Sequence, residues 1–216
     1  MAAPIKVDIW SDVACPWCFI GKRRFEAAVA AFDGEVEVEY HSYELAPDTP
    51  VDYPGTHRDY LVSRGFPAEQ IGAMDARVSG IAESVGLHYD FEANHPTRTL
   101  KAHELIHFAK ANGRQAEMKE RLMQAYFERG EHVGRIDDLV RMAGEIGLDE
   151  SDARAALEAG TYAADVQADI QVAREIGVRG VPFFVFDMRV GVSGAQETST
   201  FLEVLGNVRA EAAAAP

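Results

Sequence analysis

The sequence predicts an α/β fold in which a βαβ unit and a ββα unit are separated by a long helical segment. Three observations carry this. Alternating apolar runs of strand type occur only near the two ends of the 216-residue chain. The stretch between Pro50 and Val181 has helical periodicity punctuated by glycine. The two cysteines of the chain, Cys15 and Cys18, sit where the first strand run gives way to the first helix run.

Ile5–Trp10 alternates and reads as a strand, with Ser11–Ala14 as the loop that follows. Phe19–Phe32 carries Phe25, Val29 and Phe32 on one helical stripe. Asp33-Gly34 turns the chain, and Glu35–Leu45 alternates again. A right-handed crossover makes these two strands parallel. Helices are expected over His57–Arg64, Ala68–Val85, Thr97–Asn112, Gln115–Arg129, Ile136–Ile146, Glu150–Glu158 and Thr161–Ile176. Val181–Phe186 and Arg189–Val192 form a hairpin around Asp187-Met188, and Thr198–Val208 closes the fold as a helix. The Ala-rich tail, Ala210–Pro216, is expected to fray. This order is that of a thioredoxin-like fold with a large inserted all-helical domain. The expected division is 1–56 for the first half, 57–160 for the insertion and 161–216 for the second half.

Cys15-Pro16-Trp17-Cys18 is the chemical centre. Positions i and i+3 share a helix face, so two sulfurs there can close a small disulfide ring or open it. The first sulfur meets the unpaired N–H groups and positive dipole end of the helix, which favour a thiolate and make Cys15 the nucleophile. Cys18, one turn further in, is expected to be less exposed and to resolve the mixed disulfide. Pro16 fits the first turn because its missing N–H is not needed there. A lone C-x-x-C also fits a structural disulfide or half of a zinc site. A second thiol pair is absent, and so short a loop would add little stability.

At 47% hydrophobic the chain can bury a sizeable core without staples. A net charge of −14 argues against nucleic acid or an anionic membrane as partner. The start of the chain, Met1 to Lys6, lacks the basic and apolar regions of a signal peptide, and no apolar run approaches membrane-spanning length. The expected location is therefore cytoplasmic, where disulfides are usually catalytic or redox-sensing.

A second informative stretch is Gly180-Val181-Pro182-Phe183, a proline opening an apolar strand. With it, Ser11-Asp12-Val13-Ala14-Cys15-Pro16-Trp17-Cys18, Gly21-Lys22-Arg23, His41-Ser42-Tyr43-Glu44-Leu45, Asn94, Ala102-His103, Gly177–Phe184 and Val192–Gln196 together resemble the DsbA-like thiol oxidoreductases, in their FrnE-like branch. The resemblance spans nearly the whole chain. It implies a redox-active Cys15–Cys18 pair and a cis Val181–Pro182 bond lying against it. The Val181 backbone and Pro182 would then position an extended substrate, with Pro16 and Trp17 shaping the site. It also suggests Asn94 and His103 as residues lining the cleft. The same superfamily contains kappa-class glutathione transferases and 2-hydroxychromene-2-carboxylate isomerases, which usually carry serine where Cys15 stands. Secreted members of the DsbA family have histidine between the cysteines. Pro16-Trp17 offers no such charge, so a less acidic Cys15 and a less oxidising pair are expected. Asp8 has two readings, a proton relay for Cys18 or a solvated carboxylate on a strand face.

His103-Glu104-Leu105-Ile106-His107 matches the H-E-x-x-H zinc pattern. Its metzincin extension fails at Lys110 and Gly113, and a metalloprotease would leave both redox motifs unexplained. No metal is expected. His41, His57, His88, His95 and His132 show no joint spacing and read as surface or hydrogen-bonded residues. Lys22, Arg23 and Arg24 read as a solvated helix face, and Leu122, Met123, Tyr126 and Phe127 as core.

The sequence thus points to a thiol–disulfide oxidoreductase or isomerase, with no bound cofactor and with glutathione or another dithiol as redox partner. Its substrates are protein or small-molecule disulfides and thiols; a homodimer is one option for its assembly. The alternatives are a glutathione-dependent isomerase or transferase and a redox-sensing interaction module.

Overall fold

The computed structural model describes residues 3–214. The strands β1 (Ile5–Ser11), β2 (Val36–Ser42), β3 (Phe183–Phe186) and β4 (Val190–Ser193) form a four-stranded sheet in the order β2-β1-β3-β4. β1 and β2 are parallel, with Ile5 opposite Val36 and Ser11 opposite Ser42. The helix α1 (Pro16–Ala31) makes the crossover between them. β3 runs antiparallel to β1 and pairs Phe183 with Trp10; β4 completes the hairpin. The two turn residues, Asp187 and Met188, have φ of 48° and 52°, the left-handed geometry that a tight hairpin demands. The Asp187 carboxylate fixes that turn by accepting the Lys6 N–H at 2.8 Å.

Side chains alternate across a strand, so β1 faces two layers. Ile5, Val7 and Ile9 pack on Phe25 and Ala28 of α1 and on Phe201, Leu205 and Val208 of α9 (Thr198–Ala214). The opposite face carries Trp10, packed with Val185 and with Ala173 of α8 (Ala163–Glu175).

Between β2 and α8 run α2 (His57–Ser63), α3 (Ala68–Glu83), α4 (Leu100–Ala111), α5 (Gln115–Glu128), α6 (Ile136–Glu145) and α7 (Glu150–Ala159). Local chemistry sets several ends: Thr56 and Asp59 form a reciprocal capping box on α2, and Asp149 caps α7. Leu105, Met118, Leu122, Met123 and Phe127 build the helical core, and the same core takes in Val13, Cys15, Cys18, Phe19 and Ile20. One side of α1 therefore packs on the sheet and another on the helices. The C-x-x-C lies between these two layers.

Several expectations need correction. The first helix begins at Pro16, three residues ahead of Phe19. β2 stops at Ser42 rather than Leu45, because the Leu45 N–H leaves the ladder and donates to the Asp12 carboxylate at 2.8 Å. β3 begins only after Pro182, which has no N–H to give a ladder. The last helix runs on to Ala214 rather than fraying from Ala210. Alanine is the strongest helix former, and Glu211 pairs with Arg189 at 3.1 Å. Ala215 and Pro216 of that tail lie outside the described residues. Lys22 is not solvated: it is buried, with its ammonium 2.6 Å from both Glu26 and Glu120. Among the described residues no helix is long and apolar enough to cross a membrane.

Candidate active site

Cys15 occupies the N-cap of α1 in extended geometry, and Pro16 takes the first helical position. The Cys18 N–H donates to the Cys15 carbonyl at 3.0 Å, so the first turn is closed and both sulfurs lie on one face. The two cysteines are free thiols. Both are buried, Cys15 at 4% exposure and Cys18 at 2%. The helix-terminus reading of the sequence is thus incomplete. The Cys18 thiol beside it and its own burial push the Cys15 thiol up, against the pull of the Cys18 backbone N–H.

The Cys15 Sγ faces the Val181 carbonyl at 3.6 Å. The Val181–Pro182 peptide bond is cis. The Gly194 N–H donates to the Pro182 carbonyl at 2.8 Å, tying this loop to the end of the hairpin. Gly21 lets α1 approach it: a Cβ there would stand 3.0 Å from Pro182 Cγ and 3.4 Å from Ala195 Cα. Arg24 closes the contact by donating to the Ala195 carbonyl at 2.8 Å.

Behind the cysteines lies a buried polar group. Asp12 Oδ2 accepts the Leu45 N–H, and Oδ1 lies 3.3 Å from His103 Nε2. Burial pushes the Asp12 carboxyl up, but the His103 ring, the Leu45 N–H and Thr99 together hold it below the usual carboxylate range. Lys119, on α5, is 1% exposed, and its ammonium donates to the Ser11 carbonyl at 3.3 Å. Burial pulls it down to about 8.

Beside the cysteines an apolar cleft of about 230 Å³ opens between the C-x-x-C and the helices α2 and α3. Trp17, Phe66, Met74, Phe91, Asn94 and Phe127 are among its walls. Trp17 is 37% exposed, an unusual state for so large an apolar ring next to a reactive sulfur. Tyr89 stacks on Phe127 and donates its hydroxyl to the Pro16 carbonyl at 2.8 Å, bracing the turn between the cysteines.

Of the residues expected from sequence, Cys15, Cys18, Pro16, Trp17, Val181, Pro182 and Asn94 meet here. Asp8 does not. Strand alternation turns it away from α1, and its buried carboxylate is 2.8 Å from His41 Nε2 and 3.3 Å from Lys6; it is neither solvated nor placed to relay protons to Cys18. His103 is no cleft wall either, since it is buried against Asp12. The H-E-x-x-H residues go to separate partners: His103 to Asp12, Glu104 to Lys101, and His107 to Asp169 and Ser42. Among the described residues one group, Asp8, Glu39 and His41, brings three potential metal-ligand atoms within 4.8 Å of one another. Lys6 contacts both of its carboxylates and Lys110 pairs with Glu39, so lysine ammonium groups already supply the positive charge. Lys119 and Tyr89 were not singled out from sequence; Asp12 and Gly21 stood in the stretches that carry the family resemblance, with no role assigned to either.

A thioredoxin-type sheet, a dithiol at a helix N-terminus and a proline loop facing it define the class of thiol–disulfide oxidoreductases. Residues 6–206 match the model of the DSBA-like thioredoxin domain, and the chain belongs to that family. A probable DsbA oxidoreductase of Streptomyces coelicolor, SCO1869, is 37% identical with a TM-score of 0.91, covering 96% of this chain and 91% of its own. The uncharacterized protein YwbO of Bacillus subtilis (strain 168) is 32% identical over 207 residues, which is 94% of this chain and 96% of that protein. A 2-hydroxychromene-2-carboxylate isomerase shares the fold at 15% identity, with a TM-score of 0.72 and coverage of 98% and 100%. The chain is accordingly an enzyme of the thiol–disulfide oxidoreductase class.

Proposed function

We propose that this protein carries out dithiol–disulfide exchange through Cys15 and Cys18 on substrates bearing an apolar group beside the reacting sulfur. The observation that carries the reading is the placement of the Cys15 sulfur. It sits at a helix N-terminus and faces the Val181 carbonyl, and its chain neighbours Ala14, Pro16 and Trp17 line an apolar cleft. The Cys15 thiolate attacks a substrate disulfide and releases one substrate thiolate. Cys18 then attacks the Cys15 sulfur of the mixed disulfide, releasing the second substrate thiol and leaving the Cys15–Cys18 disulfide. The reverse sequence oxidises a substrate dithiol. Val181 offers its backbone to an extended substrate and Pro182 and Trp17 limit how the substrate lies, while two glutathione thiols, or one partner dithiol, reduce the Cys15–Cys18 disulfide and leave as a disulfide. The reading includes a cytoplasmic location, where protein disulfides are usually catalytic or redox-sensing. The fold alone does not choose this chemistry, because an isomerase shares it. The two cysteines one turn apart at the start of α1 support it.

The test is exchange with a peptide disulfide carrying aromatic residues next to one cysteine. Cys15→Ser is expected to abolish turnover, and Cys18→Ser to accumulate a mixed disulfide at Cys15. Turnover retained in Cys15→Ser would end the reading.

A further inference from the structure

The apolar cleft beside the cysteines holds a group that the exchange scheme does not use. Its volume, about 230 Å³, exceeds the roughly 150 Å³ of an apolar cavity that takes up benzene, so one aromatic side chain fits. Ala14, Pro16 and Trp17 stand in its wall, so a residue next to a substrate cysteine reaches it. The polar side chains around it are mostly engaged. His57 Nε2 lies 3.3 Å from the Asp75 carboxylate, and its ring stacks on Phe91. The Tyr60 hydroxyl lies 3.5 Å from Thr49 Oγ1. Hydrogen bonding orients the Asn94 carboxamide with its nitrogen on the Asp90 carbonyl at 3.0 Å and on the Tyr126 carbonyl. Tyr126, on α5, is different. It is 5% exposed and packs edge-on to Phe127, yet its hydroxyl makes no hydrogen bond among the described residues. That oxygen is not sealed inside the protein, for it is not among the fully enclosed polar atoms that lack a partner. The open space that Tyr126 borders is this cleft, so the hydroxyl points into it.

A tyrosine buried to this degree usually finds a partner for its O–H, because an unmet polar group at an apolar wall is costly. Phenylalanine would line the same wall without that cost. We propose that Tyr126 is the specificity residue of the cleft: its hydroxyl meets the phenol O–H of a tyrosine that stands beside the reacting cysteine of the substrate. This rests on the dithiol reading and narrows its substrates from apolar to phenolic. The ring of the substrate tyrosine packs on the apolar walls, Phe66, Met74 and Phe127 among them. Its O–H can donate or accept, as can that of Tyr126, so the two pair whichever supplies the proton. A phenylalanine in the same place fills the space but leaves the Tyr126 hydroxyl unmatched and shut off from solvent. A site with a hydrogen-bonding group rejects a ligand that lacks the counterpart more strongly than an apolar site rejects one of the wrong size.

The experiment compares two peptide disulfides, one with tyrosine and one with phenylalanine on both sides of each cysteine. In the wild-type protein kcat/KM is expected to be about tenfold higher for the tyrosine peptide. Tyr126→Phe, with its folding checked by circular-dichroism melting, is expected to lose about tenfold on the tyrosine peptide and to stay within about twofold on the phenylalanine peptide. Equal wild-type rates on the two peptides would overturn the proposal. So would a tyrosine preference that survives in Tyr126→Phe, or an equal loss on both peptides, which would mean that Tyr126 only shapes the cleft. A second measurement is free of exchange chemistry. Cys15→Ser is titrated by calorimetry with the same peptides as S-methylated single chains. It is expected to bind the tyrosine peptide more tightly, and Cys15→Ser with Tyr126→Phe to bind the two alike. Tyrosine-selective binding with no peptide exchange by the wild type would count against the dithiol function alone. Exchange with no tyrosine selectivity would count against the role of Tyr126 alone.

Discussion

Gly21 separates stability from function. Replacing it by alanine puts a methyl group 3.0 Å from Pro182 Cγ and 3.4 Å from Ala195 Cα, where carbon atoms prefer about 3.5–4.0 Å. Both neighbours are rigid, one a proline ring and the other backbone. The α1–loop gap must therefore open by roughly half an ångström. Overpacking of this kind costs about 1–3 kcal/mol, while alanine in a helix interior gains about 1 kcal/mol over glycine. The net loss is about 0–2 kcal/mol, a fall in Tm of up to about 8 °C at this chain length. Exchange should suffer more, because the loop that moves is the one facing the Cys15 sulfur. A loss of roughly tenfold or more in kcat/KM is expected, since misplacement by an ångström can cost about a hundredfold. The assays are circular-dichroism melting and peptide-disulfide exchange at a temperature well below Tm. An exchange rate within about twofold of wild type would refute the idea that this packing sets the active geometry.

Tyr89→Phe removes the hydroxyl that braces Pro16 and should lower stability by about 1 kcal/mol, read by urea unfolding. An unchanged midpoint would mean that the bond carries no weight. Leu122→Ala, at a fully buried core position, should cost about 2–5 kcal/mol by the same measurement. The network around Asp169 should make stability depend on pH. Burial pushes the Asp169 carboxyl up, but His107, His41 and the Ser42 N–H hold it well below the usual carboxylate range. Its contribution is therefore present above about pH 4 and lost as pH falls further. Burial pulls His41 down, yet Asp169 and Asp8 raise it overall, so its contribution is full below about pH 6.5 and fades as pH rises through its higher folded value. Tm measured against pH should fall less steeply below about pH 4 in Asp169→Asn than in wild type; parallel curves would exclude the network as the cause.

Periodicity and motif spacing carried the architecture. The strand alternation at Ile5–Trp10 and Val181–Phe186 and the glycine punctuation between helices located nearly every element to within a few residues. What failed depended on tertiary partners. Leu45 leaves the strand because Asp12 takes its N–H, and Lys22 is buried because Glu120, 98 residues away in sequence, meets it. The reactive pair was legible because C-x-x-C is a local pattern. The raised Cys15 thiol was not, because besides the adjacent Cys18 it reflects burial under helices far along the chain, with the Asp12 charge adding to it. Asp8 illustrates the opposite error. Its strand position was right, but the alternation that buries it also turns it toward His41 and away from Cys18.

The central claim is that Cys15 and Cys18 form a reversible two-electron couple. Equilibration of the protein in glutathione buffers, followed by Trp17 fluorescence with Cys18→Ser as control, tests it most directly. With the Cys15 thiol pushed up and no histidine between the cysteines, the couple should titrate reversibly at a potential more negative than about −180 mV, away from the strongest oxidants near about −120 mV. A reversible transition near about −120 mV would contradict the reading of the thiol environment. No reversible transition at all would contradict dithiol exchange itself.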